Sequence, residues 1–66
     1  MDNPITNKVR VLKHFGIIDK HDTATITAVK KVLKACRNEY EMDTVLHDVL
    51  HGREELKTLL TRKGVM

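Results

Sequence analysis

The 66-residue chain has one cysteine, one proline, three glycines, one phenylalanine, one tyrosine and no tryptophan. The single Cys36 has no partner for an internal disulfide, which argues against a disulfide-stapled secreted domain and for a reducing, intracellular, cytoplasmic setting. With only Phe15 and Tyr40 as aromatics, a stacking platform for single-stranded nucleic acid is not expected. No apolar run approaches the roughly 18 residues of a membrane span, and the N-terminus lacks an apolar signal core, so no membrane partner is expected. The start at Met1, without an affinity tag, leads us to expect a complete small reading frame.

Catalytic patterns are missing as well. His47 and His51 are four apart, but Asp48, Val49 and Leu50 lie between them, without the glutamate that follows the first histidine of a zinc-protease helix. There is no G-x-S-x-G elbow and no glycine-rich phosphate loop. As a nucleophile, Cys36 would need exposure and a basic neighbour such as His14 or His21, whereas its helical phase turns it toward the core. We therefore expect no enzyme, no catalytic residue and no cofactor. The histidine pair falls opposite the apolar stripe, beside Glu54 and Thr58, without zinc-finger spacing, so no metal site is expected either.

What the sequence does contain is helix periodicity. In residues 19–40, steps of 100° from Ala24 gather Ile26, Val29, Val32, Leu33, Cys36 and Tyr40 on one face, and Lys30, Lys31, Lys34 and Arg37 on another. Asp22 or Thr23 is placed to cap this helix. The β-branched Thr25, Ile26 and Thr27 weaken its first turn, so a start a few residues later is considered. Before it, Asn3 and Pro4 open a first helix over residues 4–15, with Ile5, Val9, Leu12 and Phe15 at helical spacing. Gly16 stops that helix, and Ile17 and Ile18 should tuck back onto the core.

Residues 38–43 break the period, and Asp43 with Thr44 offers the next cap. Val45, Leu46, Val49, Leu50, Leu56, Leu59 and Leu60 then describe a third apolar face that ends at Gly64. Gly52 interrupts it. One helical phase carried through Gly52 keeps the seven apolar residues on about half the circumference, and this unbroken helix is the preferred reading. The alternative is a break after His51 and a short fourth helix from Arg53, because glycine costs about 1 kcal/mol in a helix interior. No segment alternates with period two. The expectation is one all-α domain over residues 1–66: a small three-helix bundle, four-helix if Gly52 breaks the third, built on a helix–loop–helix hairpin. Residues 19–30 resemble a degenerate EF-hand loop, with Asp19 at its first position and Ile26 at its eighth. His21, Thr23, Ala24 and Lys30 replace the usual ligands, turn glycine and bidentate glutamate, so the resemblance implies a hairpin without calcium.

Charge is unevenly spread. Residues 1–38 hold eight basic and three acidic groups and residues 39–66 hold four and six, so a net charge of +3 divides into +5 and −2. That asymmetry suits an acidic partner for the first half, or two copies packed head to tail. Nineteen large apolar side chains (Ile, Leu, Val and Phe) serve a chain that buries only about 60% of its unfolded surface, so a partner or a second copy is one way to complete the core. Two functional expectations follow. The first is a small non-enzymatic regulator or adaptor that binds another protein, or itself as a homodimer, through Val45, Val49, Leu56, Leu59 and Leu60. The second is a nucleic-acid-binding regulator that uses Lys30, Lys31, Lys34 and Arg37, with Arg10 and Lys13, along a phosphate backbone.

Overall fold

The computed structural model describes residues 3–65, so the start at Met1 lies outside it, as do Asp2 and Met66. Within these residues the chain forms four helices and no strand: α1 (Pro4–His14), α2 (Thr23–Ala35), α3 (Glu39–Leu50) and α4 (Leu56–Arg62). α1 opens as its sequence implies. The Asn3 side chain accepts from the Ile5 N–H at 2.8 Å, and Pro4 occupies the first turn, where its missing N–H costs nothing. Gly16, at φ +75°, closes α1: its N–H donates to the Lys13 carbonyl and the Ile17 N–H to the Leu12 carbonyl, both at 3.0 Å. This cap leaves Phe15 past the last turn and 65% exposed, off the apolar face assigned to it, while Ile18 folds back to 3% exposure.

α2 starts at Thr23 despite its β-branched first turn. The Asp22 carboxylate accepts from the Thr25 N–H at 3.2 Å and from the Thr25 hydroxyl at 2.7 Å, which offsets the weak propensity. Helix therefore begins at the fifth position of the EF-hand-like stretch, and only the hairpin of that resemblance survives. α2 ends at Ala35, because Cys36 turns extended at φ −68° and ψ 142°. Arg37 and Tyr40 are thus not on α2, and Cys36 is half-buried at its end, its thiol donating to the Val32 carbonyl at 3.4 Å.

The next cap is Asn38, ahead of the Asp43–Thr44 pair. Asn38 Oδ1 accepts from the Glu41 N–H at 2.9 Å while Glu41 reaches back to the Arg37 N–H at 3.0 Å, a reciprocal cap that satisfies two free donors at once. α3 then stops at Leu50. Gly52 stands at φ +71°, with Arg53 N–H on the Asp48 carbonyl at 2.9 Å and Gly52 N–H on the Val49 carbonyl at 3.3 Å. The unbroken third helix is accordingly replaced by two helices, since a left-handed residue bonded in this way terminates the helical ladder.

That break decides where the leucines go. α4 turns back against α2, and Leu59 and Leu60 fall to 3% and 0% exposure beside Val9 and Leu12 of α1, Ile18, Val49 of α3, and Ile26, Ala28, Val29, Val32 and Leu33 of α2. Val45 and Leu56 pack half-buried against this core. The face expected to meet another protein is therefore largely consumed inside the fold. α1 also packs on α3, where Lys8, 8% exposed, reaches Asp43 at 2.9 Å and Glu39 at 3.5 Å.

Candidate nucleic-acid interface

Neither α1 nor α2 contains an acidic residue. Their five lysines and one arginine are Lys8, Arg10, Lys13, Lys30, Lys31 and Lys34. Lys8 turns inward to the carboxylates of α3, and the hydrogen bond it donates to Asp43 leads the causes that hold its pKa above the ordinary lysine value. The other five are exposed. The core side of α2 is fixed by Ile26, Val29, Val32 and Leu33, so Lys30, Lys31 and Lys34 fall on its outer side within about 100° of one another.

The two helices run side by side, and a shallow groove forms between the start of α1 and the second half of α2. Asn3, Ile5 and Thr6 line one wall, Thr27, Lys30, Lys31 and Lys34 the other, and no carboxylate enters. The structure thus brings three of the six nucleic-acid candidates together. Arg10 and Lys13 lie farther along α1 and do not line the groove, and Arg37 leaves the helical phase because α2 ends before it.

Comparison with known protein families, curated proteins and solved structures gives no match.

Lys31 is shared with a second groove, on the other side of α2. There Lys31 and Lys63 face Tyr40 and Glu41 over a floor that includes Val32 and Cys36. Burial pushes the Cys36 thiol above its ordinary pKa, Glu41 adds to the shift and Lys63 opposes it. Neither His14 nor His21 lines this groove, so the structure does not bring either of the histidines considered as its base to the sulfur. Tyr40 is 78% exposed here, a placement that the reading of one helix through residue 40 missed; the Asn-x-x-Glu pattern at 38–41 is the signal that would have found it.

His47 and His51 stack with ring centroids 3.9 Å apart on the outside of α3. Among the described residues no cluster of three or more histidine, cysteine or acidic side chains forms that could hold a metal ion. At the far end of α1, Phe15 lines a groove with Ile17, Leu50 and His51. No helix of the described residues is long and apolar enough to cross a membrane.

Proposed function

We propose that the protein is a small non-enzymatic regulator that binds nucleic acid through the outer face of α2 and the adjoining start of α1. The observation that carries this reading is the groove of Lys30, Lys31 and Lys34, built from two neighbouring helices without an acidic residue in either. Each lysine that neutralises a phosphate releases a counterion, so three contacts to duplex DNA give a salt slope of about −2.7, or roughly a 40-fold loss of affinity between 50 and 200 mM salt. Fluorescence anisotropy of a labelled oligonucleotide at those two salt concentrations measures it. The double variant Lys30→Glu with Lys34→Glu should abolish binding at low salt while circular dichroism stays unchanged. Binding that survives both charge reversals would refute the assignment.

A second reading, a protein partner or a homodimer, is favoured by one observation: Phe15, a large apolar side chain 65% exposed, stands beside half-buried Ile17 and Leu50. Aromatic side chains of this kind anchor interfaces. The expected docking residue is then Phe15 rather than Leu59 or Leu60. Sedimentation equilibrium of the wild type and of Phe15→Asp tests the homodimer, which requires a dimer that the substitution dissociates.

A further inference from the structure

The groove on the other side of α2 joins an apolar floor, two cationic walls and an aromatic ring without a packing role. Tyr40 is 78% exposed in the first turn of α3, Val32 beneath is buried, and Lys31 and Lys63 stand on the rim. We infer that this groove takes an unstacked base of single-stranded nucleic acid on the ring of Tyr40, with the flanking phosphates on Lys31 and Lys63. The inference rests on the proposed function, because Lys31 also lines the lysine groove between α1 and α2.

Charge decides which part of the nucleotide goes where. Glu41 lines the groove with its carboxylate tied to the Arg37 N–H, so a phosphate is repelled from the interior and held at the lysine rim. The neutral, flat face of a base suits the apolar floor and the ring, and a carboxylate beside it accepts hydrogen bonds from exocyclic amines. A duplex keeps its bases stacked and reaches only the lysines. One exposed ring is less than the multi-aromatic platform that the sequence argues against and takes a single base, and stacking on it is tolerant of sequence because every base has a π-face.

Tyr40 is the only tyrosine in a chain without tryptophan, so the intrinsic fluorescence of the full-length protein reports on this ring alone. An unlabelled oligodeoxycytidylate, whose bases carry the exocyclic amine, should quench the tyrosine emission at low salt, and a duplex of equal length should not. Tyr40→Ala should weaken binding of the single strand by about 5- to 150-fold, with duplex affinity unchanged, and Tyr40→Phe should retain it. Single-strand binding without quenching, or an equal loss for both nucleic acids in Tyr40→Ala, overturns the inference while leaving the lysine groove intact. Binding insensitive to Lys30→Glu with Lys34→Glu overturns the underlying reading instead. No binding of either nucleic acid overturns both. Circular dichroism of Tyr40→Ala should match the wild type, since the exposed ring packs no core.

Discussion

Gly52 has open space where a Cβ would stand, so an alanine there meets no clash and suffers only from the left-handed backbone at φ +71°. That conformation costs an L-residue about 1–2 kcal/mol. Gly52→Ala should therefore lower the urea midpoint by an equivalent of about 1 kcal/mol, and Gly52→Asn by less. A continuous helix through residue 52 would reverse the sign, because alanine would then gain about 1 kcal/mol over glycine. The direction of the shift alone distinguishes the two. A similar local argument holds at Asp22, whose carboxyl the Thr25 hydroxyl, and next the Thr25 N–H, hold below its ordinary pKa. A depressed carboxyl contributes stability above its unfolded value of about 3.9, and that contribution is lost as pH falls through the folded value. Thr25→Val removes the hydroxyl and keeps the backbone N–H, so the Asp22 titration followed by NMR should move upward, part of the way to its ordinary position.

At the scale of elements, the boundaries follow from which cap satisfies more donors. Asn38→Ala removes the acceptor for the Glu41 N–H and should cost about 1 kcal/mol, read by chemical denaturation. The start of α1 and its stop at Gly16 were legible in the sequence because Asn-Pro and glycine act within one turn. The end of α2 was not. The apolar phase of Ile26 to Leu33 continues by coincidence through Cys36 and Tyr40, and only the competing cap at Asn38 and Glu41 ends it. Gly52 was ambiguous for a related reason: α3 and α4 both need an apolar face toward the core, so a turn between them leaves the hydrophobic spacing nearly unchanged. Lys8 was invisible to periodicity, since its burial depends on Glu39 and Asp43 of a different helix. Its raised pKa contributes stability below the unfolded lysine value of about 10.4, and that contribution is lost as pH rises through the folded value. Asp43→Asn removes the principal partner, and the difference in midpoint between wild type and variant should shrink from about pH 9 to about pH 11.

Over the whole molecule, charge is sorted by helix. α1 and α2 carry the lysines of the groove, whereas α3 holds Glu39, Glu41, Asp43 and Asp48 and no lysine or arginine. The two halves differ in charge in the sequence already, but the convergence of Lys30, Lys31 and Lys34 with Asn3 and Thr6 required the packing of α1 on α2. The same packing separates the residues that stabilise the fold from those that face a partner. A chain of this length is expected to hold about 3–10 kcal/mol of stability. Leu60 is fully buried where α4 meets the core, and Leu60→Ala should cost about 2–5 kcal/mol, a large part of that total. Lys30→Glu with Lys34→Glu changes exposed side chains only; it exchanges one like-charge i,i+4 pair for another and places a carboxylate in the last turn of α2, a cost of about 0.3–1 kcal/mol, so its thermal midpoint should fall by only a few degrees. Measured side by side, Leu60→Ala should lose its fold on mild heating and the double charge reversal should keep it. A double variant that instead unfolds would mean that these lysines hold the helices together, and would take away the surface on which the nucleic-acid reading stands.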